Sequence, residues 1–239
     1  MPVVTIAGRQ GSPIKKIGLE VARAIGADYV DNQIIAQAAH RSGAPIEEVA
    51  QKDERAVKGR ERLARFFQNF LEKSAAAGSA GDPFLGPTGI EVLMSRTMAE
   101  AAEPARSQGE RLDDERYIDA IRSVIEDEAQ TGNVVMVGRG SNVILHDLPN
   151  SLHVYVVSDL ETRITEVMQR ERMSENDAQK YVREFEEGRA KWYKKYFKVL
   201  PEEPDLYHLF LNSDRLGIDH SARIVVEAAE ELQRKMVEA

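Results

Sequence analysis

The sequence predicts an α/β protein: a mainly parallel five-stranded sheet with helices on both faces. Short, apolar, β-branched runs alternate along the chain with longer segments that place apolar residues at helical spacing, the pattern of βαβ units. Two of these runs end directly in glycine-containing turns, at Gly8–Ser12 and at Gly138-Arg139-Gly140. A parallel sheet brings both turns to the same edge, beyond the carboxyl ends of the strands, where such folds bind their ligands.

The first strand is expected at Val3-Val4-Thr5-Ile6 and is followed by a helix from Lys15 to Ile25, with Ile17, Val21, Ala22 and Ile25 on one stripe. Asp28-Tyr29-Val30 is a short second strand. Val134-Val135-Met136-Val137, bounded by Gly132-Asn133 and Gly138, is the third. The fourth is Leu152 to Val157 and the fifth Leu209-Phe210-Leu211. Helical patterns cover 32–42, 60–75, 89–102, 113–130, 160–172, 175–196 and 219–237. The stretch from about 44 to 111 has no strand pattern and contains Ala75-Ala76-Ala77-Gly78-Ser79-Ala80-Gly81-Asp82-Pro83 and Gly86-Pro87. Its flanking periodicity reads as a helical insertion between strands two and three, with a low-complexity linker as the plainer alternative.

At 239 residues the chain suits one large domain. A hydrophobic fraction of 42% suffices for a core, and no internal repeat is present. The net charge of −8 argues against broad nucleic-acid or membrane-surface binding, which need clustered positive potential. The chain has no cysteine, which excludes disulfides, thiolate catalysis and cysteine-based zinc sites. Its five histidines are scattered without metal-ligand spacing, so no metal site is expected from them. No signal-like segment and no apolar run of about 18 residues is present, and the expectation is a cytoplasmic protein.

Three segments carry chemistry. The loop after the first strand has the outline of a phosphate loop without its side chains. Counting from Gly8, Pro13 falls at the second glycine and Ile14 at the lysine, and lysine rather than a hydroxyl follows. Its amides still precede a helix N-terminus, where orphan N–H groups and the dipole favour an anion. Gly8, Arg9, Gln10, Gly11, Ser12, Lys15 and Lys16 are the candidate nucleotide-binding residues. A plain strand-to-helix turn with solvated lysines is the alternative.

Arg139, at the end of the third strand, offers a planar fork suited to phosphate. An ion pair with a surface carboxylate is its alternative role. The third segment spans 163–198, where Arg163, Arg170, Arg172, Arg183, Arg189, Lys191, Lys194, Lys195 and Lys198 interleave with Tyr181, Phe185, Trp192, Tyr193, Tyr196 and Phe197. A basic helix in an acidic protein suggests a specific anion. A solvated face balanced by Glu184, Glu186 and Glu187, or a single-stranded nucleic-acid groove, reads from the same residues. Asp31 can accept a hydrogen bond from a substrate or cap the next helix.

Together these segments resemble the cytidylate-kinase-like family of P-loop nucleoside monophosphate kinases. The matching residues are Val4-Thr5-Ile6-Ala7-Gly8-Arg9-Gln10-Gly11-Ser12, Tyr29-Val30-Asp31, Val135-Met136-Val137-Gly138-Arg139-Gly140 and Glu171-Arg172-Met173-Ser174. Glu187-Gly188-Arg189-Ala190, Trp192-Tyr193-Lys194-Lys195-Tyr196-Phe197 and Leu211-Asn212-Ser213 also match, and 82–91 with 112–117 resemble a subgroup.

The resemblance implies a three-layer P-loop NTPase-type core (1–43, 112–173 and 199–239), a helical monophosphate-binding insertion at about 44–111 and a helical lid at about 174–198. ATP is expected on the first loop, and CMP or a related nucleotide near Asp31 and Arg139. Arg139, Arg183 and Arg189 are then the expected catalytic arginines, and nucleotides the expected partners. Mg²⁺ is expected for a kinase, with no ligand identifiable in either loop. The family commonly has Gly-Gly-Arg-Glu where this chain has Pro13-Ile14-Lys15-Lys16, and cytidylate kinases have an aspartate where it has Gly140. An ATP-dependent nucleoside monophosphate kinase is the expected function. The alternative is a catalytically impaired nucleotide-binding or regulatory protein on the same fold.

Overall fold

The structure, a computed structural model, describes residues 2–31, 33–53 and 114–238. The helical patterns expected at 60–75 and 89–102, and most of the expected insertion, lie outside these residues. The chain divides into two compact units: one of Met1–Asp31 with Arg122–Ala239, the other of Asn32–Ile121.

The first unit holds a sheet of five strands: β1 (Val3–Gly8), β2 (Asp28–Val30), β3 (Val134–Val137), β4 (Ser151–Val157) and β5 (Leu209–Asn212). They run in the order β2-β3-β1-β4-β5, and every pairing is parallel. The unit's helices are α1 (Ile14–Ile25), α5 (Ser141–Ile144), α6 (Leu160–Glu171), α7 (Glu175–Tyr196), α8 (Ser213–Leu216) and α9 (Ile218–Glu238). The second unit contributes α2 (Gln33–Ser42) and α3 (Ile46–Lys52), and α4 (Asp114–Thr131) spans the division. This is the expected three-layer α/β fold, and all five strands stand where the sequence puts them. The four-residue helices α5 and α8 were not foreseen, being too short to show a period.

Alternation along the strands sorts the residues onto the two faces. Val4, Ile6, Val135, Val137, Leu152, Val154 and Val156 form one buried cluster with Ile17, Val21 and Ala22 of α1 and Ala222, Val225 and Ala229 of α9. On the opposite face Ala7 and Tyr155 pack with Leu206 and Tyr207, from the segment between α7 and β5. β1 is central, and its register levels Ile6 with Val137 and Gly8 with Val156. The amide of Gly138 accordingly donates to the Ile6 carbonyl at 3.1 Å. The two glycine turns therefore open side by side on one edge, as expected. Among the described residues no helix is long and apolar enough to cross a membrane.

The second face also buries a histidine. His153, 1% exposed, is held between two hydroxyls, Nδ1 2.8 Å from Thr5 Oγ1 and Nε2 3.0 Å from Ser151 Oγ, so that the neutral ring donates at one nitrogen and accepts at the other. Its ring stacks on His208 at 5.1 Å. Burial, and then the neighbouring His208, push its pKa down to about 4. Between that value and the unfolded value near 6.5, the unfolded chain binds a proton that the folded chain refuses, so stability rises with pH. His208 is shifted in the same direction by burial, whereas the hydrogen bond to Asp147 shifts His146 the opposite way. Unfolding by urea should therefore show about 2 kcal/mol less stability at pH 5 than at pH 7.5. In His153→Gln most of that difference should vanish; an equal pH slope in both proteins would remove His153 as its source.

Candidate active site

Helix α1 breaks the local rules that α7 obeys. Helix α7 has Ser174 as its N-cap, Glu175 and Asp177 in its first turn and Lys194 and Lys195 in its last, all favourable to the helix dipole. Helix α1 has Pro13 as its N-cap, which provides no side-chain hydrogen bond, has no acid in its first turn, and places Lys15 and Lys16 there instead. Two cations at the positive end of a dipole are unfavourable unless anions face them. Local rules broken in this way are expected at functional sites.

Each cation of the loop faces a carboxylate. Lys15 Nζ lies 2.5 Å from Asp31 Oδ2. Lys16 Nζ lies 3.2 Å from Glu166 Oε1, on α6. Arg9 makes a two-pronged pair with Glu202, Nε to Oε1 at 2.9 Å and Nη2 to Oε2 at 3.0 Å. The Glu202 hydrogen bond raises the Arg9 pKa. Burial opposes ionisation of Glu202, but its bonds to Arg9 leave its carboxyl below the ordinary value. Ile14, at the position of the standard loop lysine, packs against the apolar cluster of the sheet. Ser12 Oγ is buried and has no hydrogen-bond partner.

Asp31 also joins the two loops. Its Oδ1 accepts from Arg139 Nη1 at 2.7 Å, so one buried carboxylate holds both Lys15 and Arg139. Arg139 is fully buried. Gly138, Arg139 and Gly140 have φ of 79°, 56° and 67°, three successive residues in the left-handed region. For a non-glycine residue that conformation costs about 1–2 kcal/mol. The flanking glycines adopt it freely, and Asp31 fixes the guanidinium they turn inward. Asp31 is thus engaged by the chain's own cations, a role that neither the substrate-binding nor the capping expectation describes.

The basic segment is less uniform than its sequence suggests. Arg189 is buried, donates from Nη1 to the Gly8 carbonyl at 2.6 Å, and lies over the rings of Tyr193 and Tyr155. Arg183 is exposed on another side of α7, since six residues carry it about 240° round the helix from Arg189. The structure thus brings Lys15, Asp31 and Arg139 together and seats Arg189 on the loop, but not Arg183. The aromatic residues pack with one another, Trp192 against Phe197 at 5.2 Å and against Tyr193 and Tyr196 at 5.4 Å, as hinge packing would.

Two partners of the loop are not marked as such by the sequence, although Arg163 belongs to its basic segment. Arg163 of α6 is buried and donates to the carbonyls of Ser158 and Gln10 at 3.1 and 3.2 Å, and it pairs with Glu186 of α7. Gly11, at φ 90°, lies so close to it that an added Cβ would stand 2.5 Å from the Arg163 carbonyl oxygen. Glu202 is the other. Neither has a local signal for this role, because the loop residue each one holds lies more than 150 positions away.

Comparison with known proteins identifies the family and the fold. The family model described as the cytidylate kinase-like family matches residues 3–215. The cytidylate kinase of Methanoregula boonei is 24% identical over 121 residues, 50% of this chain and 64% of that enzyme, so the chain spans less than two thirds of its length. A solved structure of an uncharacterized protein from Eubacterium ventriosum has the same fold, with a TM-score of 0.61 and 12% identity over 96% of this chain and 99% of that one. A shikimate kinase from Bacteroides thetaiotaomicron aligns at a TM-score of 0.47 and 11% identity, over 96% and 98% of the two chains.

Proposed function

The chain belongs to the cytidylate kinase-like family, and from that premise we propose that it transfers the γ-phosphoryl group of ATP to CMP or a related nucleoside monophosphate in the cytoplasm. The observation that carries this reading is the Lys15–Asp31–Arg139 triad at the edge where both loops open. Phosphoryl transfer asks the protein for positioning and charge neutralisation more than for covalent chemistry. Arg139, buried and held by Asp31, supplies fixed positive potential beneath the acceptor side. Lys15 is partly exposed and carries its ammonium on a flexible stem, so it can turn from Asp31 to a phosphate oxygen. Arg189 brings a third charge from α7, and the buried hydroxyl of Ser12 can donate to a phosphate oxygen.

The carboxylates nearest the loops do not fit a divalent cation. Asp31 and Glu202 are each held by cations of the chain itself, and the described residues contain no cluster of three metal-ligating side chains. Mg²⁺ would enter on the phosphates of the nucleotide.

A second reading, a nucleotide-binding regulator without turnover, draws support from the pairing of Arg9, Lys15 and Lys16 with the protein's own carboxylates and from the core packing of Ile14. A coupled phosphotransfer assay with ATP and Mg²⁺ against the common nucleoside monophosphates separates the two. Turnover with CMP or a close relative is the expected result. Calorimetric binding of ATP with no turnover on any acceptor would instead favour the regulator.

A further inference from the structure

Arg9 and Glu202 form a contact that the proposed chemistry does not use. Arg9 directly follows β1 inside the phosphate loop, and Glu202 lies on the strap that leads from α7 to β5. The strap is anchored beyond Glu202, where Tyr207 donates to the Pro201 carbonyl at 2.6 Å and packs with Leu206 against Ala7 and Tyr155. Before Glu202 it is continuous with α7 through the C-cap Phe197, whose ring packs on Trp192 of the helix. The Tyr155 hydroxyl donates to Glu202 at 3.1 Å, and Arg189 of α7 lies over the same Tyr155 ring. Loop, strap and α7 thus meet around one carboxylate.

A guanidinium fork accepts a carboxylate and a phosphoryl group by the same two parallel hydrogen bonds. Both partners are close to half exposed, 42% and 44%, so a phosphoryl group can reach Arg9 without opening the core. A pair this exposed contributes little to stability, so it is not needed to hold the fold together. We propose that Glu202 is a latch: its carboxylate occupies the phosphoryl position on Arg9, keeps strap and α7 against the loop, and is displaced by an incoming polyphosphate. The latch rests on the reading of the Gly8–Ser12 loop as a phosphate site.

Trp192, the single tryptophan of the chain, lies buried on α7 and reports the movement by its fluorescence. The full chain is titrated with inorganic tripolyphosphate, free of metal, in wild type, Glu202→Gln, Arg9→Gln and the double variant. Glu202→Gln should bind about fivefold more tightly than wild type, the range that one exposed two-pronged ion pair supports. Its unliganded emission should already be shifted toward that of saturated wild type. In the Arg9→Gln background, Glu202→Gln should change nothing.

Equal or weaker binding by Glu202→Gln overturns the latch. The same gain without Arg9 also overturns it, since removal of any negative charge would then suffice, as does the absence of tripolyphosphate binding in every protein. If Glu202→Gln does not fold, Glu202→Asp carries the test: one methylene shorter, it keeps the charge but loses the two-pronged reach, and unchanged affinity sinks the idea. A parallel ATP and CMP assay keeps the two readings distinct. Loss of the kinase assignment there would leave the tripolyphosphate result standing.

Discussion

Replacing Arg139 by glutamine should destabilise the protein by about 3–5 kcal/mol, the usual cost of removing one partner of a buried ion pair. Asp31 would remain buried with Lys15 as its only charged partner of the triad, and Lys15 is partly exposed. The double variant Asp31→Asn with Arg139→Gln should recover much of that loss, because no uncompensated charge is left inside. Phosphoryl transfer should be lost in both. Urea unfolding and the phosphotransfer assay, run on the same preparations, make the separation. A single variant within about 0.5 kcal/mol of wild type would mean that the triad does not hold the charge balance of the site.

The second large effect is expected at Arg189. Arg189→Lys keeps the charge but loses the planar fork that reaches the Gly8 carbonyl and lies over two tyrosine rings. We expect turnover to fall by about 10²–10³-fold, the scale for one preorganised transition-state contact, while stability changes by no more than about 1–3 kcal/mol. Saturation kinetics with CMP decide whether the loss lies in kcat. A purely structural arginine would lower stability and leave kcat of the folded enzyme unchanged. Arg183→Lys is the matched control on the same helix, because its side chain is exposed and turned away from the loop.

The sheet was legible because its signals are local. Val134–Val137 is an unbroken β-branched and apolar run between glycine-containing turns, and even the weak Asp28–Val30 is a strand because the parallel edge of β3 is there to receive it. The Gly138-Arg139-Gly140 turn was legible as a candidate site for a related reason, since an arginine flanked by glycines at a strand end is a local pattern. The partners of the loop were not. Glu202 looks like any acid in a Pro-Glu-Glu-Pro turn, and Arg163 like one more charge on an amphipathic helix. Only the fold brings the first to Arg9 and the second to the Gln10 carbonyl. Arg183 and Arg189 were indistinguishable by residue type, and helical phase assigns them to different faces.

Gly140 links the loop to α7 in a way that constrains which sequences this chain can explore. A Cβ at that position would lie 2.4 Å from the Phe197 ring and 3.3 Å from Trp192, at a backbone φ of 67° that side chains rarely adopt. Any side chain at position 140 therefore has to push the Phe197 ring aside as well as accept a strained backbone. The two positions are coupled: the tolerance of residue 140 for a side chain is set by the size of residue 197.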